Sequence, residues 1–395
     1  MKIFYIANAR IPTEKAHGIQ IMKMCEAFAR LGHDVKLIIP SRVSHIEEEA
    51  FAYYGMTKTF EIVYLPSLDL IRWSGWIPKI FAYLQNWSFS NSVQKFLDDN
   101  QADLLYTRDE LTALSLPRNL EIILEVHNVS RILRNNTERL NKLQKIISIT
   151  AGLKNELMRL GYEANKIQVL PDGVDLKNFP LPQPLPASPA GGPSRKGNSS
   201  PLRGEDKGGS GKRTIMYTGN FFAWKGVYVL AEATRLLPEY QFVFVGGSPD
   251  EQEKFQDYIK RQSYNDRDIA VKNIKLTGHV PHNQIPEYLS HADVLVLPNS
   301  GKTPISRYYT SPMKMFEYMA VGKPIVASDM PSIREILNES NSILVKPDDP
   351  QALAQGIKKA IEDSELAKRI AAQASTDAKK YTWQNRAKAV IDLMS

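Results

Sequence analysis

Cysteine is nearly absent from this chain: Cys25 is the one thiol in 395 residues. An intrachain disulfide and a cysteine-based metal cluster are thereby excluded. No run of about 18 apolar residues occurs, so no transmembrane helix is expected. The N-terminal MKIFYIANARIPTEK is short and strand-like and lacks the long apolar stretch and small-residue cleavage site of a secretory signal. These absences read as a cytoplasmic protein. A basic face is missing too. The net charge is +7, yet residues 181–213 carry six Lys and Arg against two Asp and Glu, which accounts for four of the seven excess charges. That segment is dense in Pro, Gly and Ser and nearly free of large apolar residues, which marks a disordered linker. Nucleic acid is therefore not an expected partner.

Two further signals are missing. No G-x-G-x-x-G follows the first expected strand, where residues 8–18 hold the lone Gly18, and this argues against dinucleotide-dependent redox chemistry. The only D-x-D, Asp266 and Asp268 around Arg267, follows a polar stretch rather than an apolar strand and is assigned to no metal.

What remains is a 43% hydrophobic chain, too long for one ordinary core and suited to two domains. Residues 1–180 alternate strand and helix, with strands expected near 2–9, 35–40, 104–107, 122–127, 146–150 and 167–170. Residues 214–380 repeat the pattern, with strands near 214–218, 242–246, 274–280, 294–298, 324–327 and 343–345, and residues 382–394 read as a helix. Such alternation argues α/β domains with doubly wound parallel sheets, whose ligands collect at the carboxyl ends of strands. His127 and Asn128 sit at such an end in EVHNVS, although a lone histidine is as often an ordinary one. Arg108 ends the preceding strand in LLYTRDE; it is a further candidate at the same edge or a surface partner of Asp109 or Glu110. In GNFFAWKG, Gly219 and Asn220 occupy a strand-end loop and Lys225 opens the next helix. A lysine there opposes the helix dipole and is held by an anion or reaches solvent. Between residues 65 and 97, Trp73, Trp76, Phe81, Tyr83, Trp87 and Phe89 interleave with Arg72, Lys79 and Lys95. Peripheral contact with the inner face of a membrane, or a hydrophobic acceptor, would suit them; core packing of an amphipathic helix explains them equally and is preferred.

The chain is organised around Ser311 to Asp329, SPMKMFEYMAVGKPIVASD, read as a short helix, a glycine turn and a buried strand. Ser311 and Pro312 suit a helix start, whose free amides form an anion site to which Lys314 adds a cation. Glu317 lies among apolar residues, where a carboxylate is costly unless it has partners or faces a cleft. Amides for phosphate and a carboxylate for ribose hydroxyls have the form of a nucleotide-diphosphate site; a solvated helix face is the plainer reading of the same glutamate.

This stretch resembles the donor-site segment of the retaining, nucleotide-sugar-dependent glycosyltransferases of the GT-B fold, family 4 or group 1. The resemblance extends over AHGIQIMKMCEAFARLGHDV, LPDGVDLKNF and GHVPHNQIPEYLSHADVLVLPN, nearly the whole chain apart from the linker. It implies two Rossmann-like domains with an interdomain cleft: residues 1–180 on the acceptor side, 214–380 for the nucleotide sugar, and a terminal helix at 381–395 packed back on the first domain through Trp383. It implies catalytic roles for His127, Lys225 and Glu317. Donor binding falls to Gly18, Gly219, Asn220, Val280 and the run Tyr309, Thr310, Ser311, Pro312, Met313 and Lys314, with Arg108 and Asn128 on the acceptor side. Glu317 matches the second of two family glutamates; Tyr309 stands in place of the first. An arginine usual near Asn220 is missing, and Asp172 replaces a usual asparagine in LPDGVD, where Gly173 is expected to supply turn dihedrals.

The implied reaction moves a hexose from a nucleotide-diphosphate sugar to a glycan or lipid-linked acceptor with retention, as in polysaccharide biosynthesis, and with no metal or other cofactor. No carboxylate nucleophile is visible, which favours front-face departure and attack. A nucleotide-sugar hydrolase or epimerase on the same fold, and a non-catalytic sugar-binding partner subunit, are the rival readings.

Overall fold

Short apolar runs such as LLYT at Leu104–Thr107 and VLVL at Val294–Leu297 are buried at every position, as strands covered on both faces require. The computed structural model, which describes residues 1–44, 46–69, 78–117, 119–179, 212–262 and 272–394, arranges such runs in two parallel sheets. The chain divides into two compact units. One is Met1–Val174 with Tyr308–Met313 and Lys380–Ser395; the other is Asp175–Arg307 with Lys314–Lys379. Tyr308–Met313, counted with the second domain on sequence grounds, thus groups with the first unit.

The first unit holds β1 (Lys2–Ile6), β2 (Asp34–Ser41), β3 (Glu61–Pro66), β4 (Leu104–Thr107), β5 (Ile122–Val126), β6 (Lys145–Ser148) and β7 (Ile167–Val169), in the spatial order β3-β2-β1-β4-β5-β6-β7. The second holds β8 (Thr214–Thr218), β9 (Gln241–Val245), β10 (Ile274–Gly278), β11 (Val294–Leu297), β12 (Ile325–Ser328) and β13 (Ile343–Val345), in the order β10-β9-β8-β11-β12-β13. Strand order reverses between β1 and β4 and again between β8 and β11, which gives each unit a switch point of the kind where Rossmann-like sheets take ligands.

Several local expectations are revised. The first helix is Ala16–Arg30, so Gly18 lies in its first turn rather than in the loop before it. A Cβ there would come within 2.2 Å of the Tyr54 hydroxyl, which makes the glycine a packing requirement. Gly173 has no left-handed backbone; its role is close approach, because a Cβ would sit 2.9 Å from the carbonyl carbon of Thr382 and from the amide nitrogen of Trp383. That approach serves the C-terminal helix Trp383–Asp392, capped by Thr382 Oγ1 accepting the Asn385 amide at 3.0 Å. Trp383, Ala387 and Val390 enter the same core cluster as Met22, Phe28 and Tyr106.

In the helix Pro78–Asp99, Phe89 is buried while Tyr83 and Trp87 are 63% and 54% exposed, so core packing explains only part of that aromatic series. Arg72, Trp73 and Trp76, the Asp266–Asp268 motif and most of the 181–213 linker lie outside the described residues. No helix among the described residues is long and apolar enough to cross a membrane.

Candidate functional site

At the second unit's switch point the chain leaves β8 through Gly219 and Asn220 and makes a 3-10 turn, Ala223–Lys225. Lys225 therefore precedes the helix Val227–Thr234 instead of opening it; Gly226 stands between them as the N-cap. Only glycine serves at 226: its φ is +75°, and a Cβ would lie 1.8 Å from the Pro298 carbonyl oxygen just beyond β11. The turn is tied to that same loop by the Ser300 amide, which donates to the Trp224 carbonyl at 2.9 Å. Backbone packing thus fixes where Lys225 can reach.

Two lysines converge here. Lys225 Nζ donates to Asn220 Oδ1 at 3.2 Å and lies 5.5 and 5.4 Å from the ring centres of Phe222 and Trp224. Lys314, in the first turn of the helix Met313–Val321, donates to the Thr218 carbonyl at 2.9 Å and lies 3.6 Å from the ring centre of Tyr217. An atom placed where a Cβ would project from Gly219 would be 3.6 Å from Lys314 Nζ and 4.0 Å from Lys225 Nζ. Burial lowers the Lys225 ammonium to about 8 against the opposing pull of Glu251. Burial, then repulsion from Lys225, pushes Lys314 well below the ordinary lysine value, and Glu317 acts against both. Two desolvated lysines that converge on one glycine favour an anion that bridges them.

Glu317 follows Lys314 by three residues on the same helix and is 7% exposed, so the solvated-face reading does not apply to it. Its Oε1 meets His282 Nε2 at 2.7 Å. His282 lies just past Val280, itself 9% exposed in the loop that follows β10. The residues before this helix behave differently from expectation. The helix starts at Met313, not at Ser311 and Pro312, and the Ser311 hydroxyl accepts the Asp172 amide at 3.0 Å. Thr310 is buried, Met313 packs on the first unit's core, and Tyr309 packs on the cluster around Leu133 and Leu153 with Glu156, Arg134 and Arg159 nearby.

In the first unit, His127 follows β5 directly, its side chain 23% exposed, and its Nε2 meets Glu125 Oε1. Glu125 is fully buried and also accepts from Gln20 Nε2 at 2.5 Å, from the Tyr106 hydroxyl and from Arg386 NH1 at 3.0 Å. Burial alone would raise the Glu125 carboxyl; the Arg386 guanidinium, His127 and Arg108 together outweigh it and hold it well below the usual range. His127 is lowered to about 4, by burial first and by Arg108 second. Arg108 pairs with neither Asp109 nor Glu110 but donates to Gln20 Oε1 at 2.6 Å. Asn128 is exposed, and its Oδ1 accepts the neighbouring Val129 amide. His17, one residue before Gly18, is lowered to about 4 by burial, then by Arg108, Lys15 and His127, so it belongs to the same neighbourhood.

Glu125, Arg386, Gln20, His282 and Tyr217 were not among the sequence-derived candidates. Two of them had a local signal: Glu125 is a carboxylate inside the apolar run IILEV, and Arg386 falls on the buried face of a helix whose neighbours Trp383 and Val390 are apolar. His282 had none.

Comparison with known proteins gives the family. Residues 212–363 match the family described as glycosyl transferases group 1, and residues 18–178 match glycosyltransferase family 4. Among curated relatives, the alpha-D-kanosaminyltransferase of Streptomyces kanamyceticus is 29% identical over 42% of this chain and 42% of its own length. The D-inositol 3-phosphate glycosyltransferase of Xylanimonas cellulosilytica is 25% identical over 63% of this chain and 56% of its own. The chain thus spans about half the length of the curated relatives it matches. Among solved structures, Anabaena Alr3699/HepE in complex with UDP is similar with a TM-score of 0.72 at 16% identity, covering 100% of this chain and 99% of that one. Sucrose-phosphate synthase from Thermosynechococcus elongatus gives 0.74 at 20% identity, covering 100% and 98%. Those structures share the fold, two Rossmann-like units of the GT-B class. With both units matched in sequence as well as in fold, the chain belongs to the group 1, family 4 glycosyltransferases.

Proposed function

We propose that this protein transfers a hexosyl group from a nucleotide-diphosphate sugar to a hydroxyl of a glycan or lipid-linked acceptor, with retention at the anomeric carbon. One observation carries the reading: the Lys225 and Lys314 ammonium groups meet at Gly219, at the carboxyl end of β8, and Lys314 stands three residues before the buried carboxylate of Glu317 on one helix. The lysine pair takes the diphosphate. Glu317, steadied by His282, takes the ribose hydroxyls, and backbone groups beside Val280 meet the base edge. In the first unit His127 takes a sugar hydroxyl, and Arg108 and Asn128 lie on the acceptor side.

The bond from the anomeric carbon to the diphosphate oxygen breaks as the acceptor oxygen bonds to that carbon. The acceptor proton passes to the departing diphosphate, so nucleoside diphosphate and glycoside are the products. Stabilising charge on the leaving group is the protein's main contribution, which suits two cations whose desolvation is relieved by an anion. The turnover needs no metal in this reading. Tyr83 and Trp87, exposed on the helix Pro78–Asp99, support peripheral contact with a membrane that carries a lipid-linked acceptor.

The test is incubation with UDP-, GDP-, ADP- and TDP-sugars, with and without a lipid or oligosaccharide extract, following released nucleoside diphosphate and the anomeric configuration of the product. Acceptor-dependent release with retained configuration is expected. Release that ignores the acceptor would establish a hydrolase, and inversion would remove the front-face mechanism.

A further inference from the structure

The carboxylate at the centre of the first unit's buried network has a consequence for His127. Glu125 lies in β5, 0% exposed, and a carboxylate there persists only when its lone pairs are met by donors. All of them are: Oε1 receives Gln20 Nε2 and His127 Nε2, and Oε2 receives the Tyr106 hydroxyl and Arg386 NH1. Arg386 is itself anchored, its Nε donating to the Pro171 carbonyl at 2.9 Å and its NH2 to the Leu170 carbonyl at 3.3 Å. The orientation of Gln20 is set from its other end, because Arg108 donates to Gln20 Oε1 and leaves the amide nitrogen to face Glu125. An ionised carboxylate can only accept, so each partner must present a hydrogen to it, the imidazole included.

We propose that Glu125 is a positioning residue that fixes His127 in the Nε2–H tautomer and leaves Nδ1 as a hydrogen-bond acceptor. The group that His127 receives is then an O–H donor, a sugar or acceptor hydroxyl, and not a phosphate oxygen, which would need a hydrogen from the ring. The depressed basicity of His127, caused by burial and by the Arg108 guanidinium, keeps the ring neutral at pH 7 and agrees with this arrangement. Arg386 comes from the C-terminal helix, more than 250 residues on, so that helix indirectly sets the face His127 offers. The identity of the hydroxyl rests on the glycosyltransferase reading above; the tautomer does not.

Long-range proton–nitrogen correlation spectra of the full chain with labelled histidine, recorded at pH 7, read the tautomer directly, and the His127→Phe variant identifies which signals among the seven histidines belong to residue 127. A protonated Nε2 with an unprotonated Nδ1 is expected. A protonated Nδ1, or a cationic ring, overturns the proposal. The second measurement is a double-mutant cycle on sugar transfer. Glu125→Gln should lower kcat/KM about tenfold, the effect of one weakened hydrogen bond, and should add little when His127 is already phenylalanine. Full, additive loss in that background would mean that Glu125 supports the fold without acting through His127. If His127→Phe transfers sugar at the wild-type rate, the hydroxyl assignment and His127's place in the proposed function both fall, while the spectra still decide the positioning on their own.

Discussion

Replacing Lys225 by methionine should strengthen the unliganded protein while weakening its hold on a diphosphate. Among the described residues the ammonium of Lys225 has one neutral oxygen acceptor, Asn220 Oδ1 at 3.2 Å, and it shares its corner with a second cation. Its proton affinity falls from the free-amine value of 10.5 to about 8, chiefly because burial removes water from the charge. At roughly 1.4 kcal/mol for each tenfold change in proton affinity, that difference amounts to about 3 kcal/mol for a fully desolvated group; part exposure reduces the expected cost to about 2 kcal/mol at pH 7. The unfolded chain holds more protons than the folded one between pH 8 and 10.5. Stability attributable to this group therefore rises with pH through that window, and the cost is fully present below pH 8. Methionine keeps the apolar stem against Phe222 and Trp224 and carries no charge. Urea unfolding at pH 7 and pH 10 is the assay. The variant should exceed the wild type by about 2 kcal/mol at pH 7, with the gap closing as the pH rises. A variant that is less stable at both values would refute the idea that the site holds a strained cation.

The remaining predictions concern the same corner and the reaction. Glu317→Ala should weaken nucleotide binding by about 1.5 to 3 kcal/mol for each hydrogen bond lost from a charged acceptor, measured by titration calorimetry; unchanged affinity would return Glu317 to a purely structural role beside His282. Gly226→Ala forces a side chain into a left-handed backbone at φ +75° with its Cβ 1.8 Å from the Pro298 oxygen, so the second unit should lose more than about 2 kcal/mol in urea unfolding. Affinity for nucleoside diphosphate should decline as pH rises above about 8, where the unliganded Lys225 sheds its proton; an affinity that is flat to pH 10 would count against lysine as the phosphate ligand. Turnover should survive EDTA, and abolition by chelator with rescue by manganese would contradict the metal-independent scheme.

The elements that read well from sequence are those with a two-sided apolar signal. The strand at 104–107 appears with the bounds expected of it, and the strands of the second sheet lie within a residue or two of theirs. β3, EIVYLP, escaped notice because it is an edge strand whose Glu61, Tyr64 and Pro66 are exposed, which erases the continuous apolar run. In the candidate site, Lys225 and Glu317 stood out because each breaks a local rule, a cation before a helix and a carboxylate within an apolar helix face, and Lys314 stood out as a cation near a helix start. Their partners were not. His282 reaches Glu317 across 35 residues, and Arg386 reaches Glu125 across 261, distances over which a single sequence carries no pairing signal. The helix start at Ser311 was misplaced because a hydroxyl that can cap a helix can also accept a distant amide, and here it accepts that of Asp172.

The claim on which the rest depends is that the Gly219 corner holds a diphosphate between two lysines. Titration calorimetry with UDP, GDP, ADP and TDP, each against its monophosphate, tests it most directly, repeated on Lys225→Met and Lys314→Met. One diphosphate should bind with a stoichiometry of one and at least about tenfold more tightly than its monophosphate, and either substitution should erase that preference. A diphosphate bound no better than its monophosphate, or a preference that survives either substitution, would contradict the account.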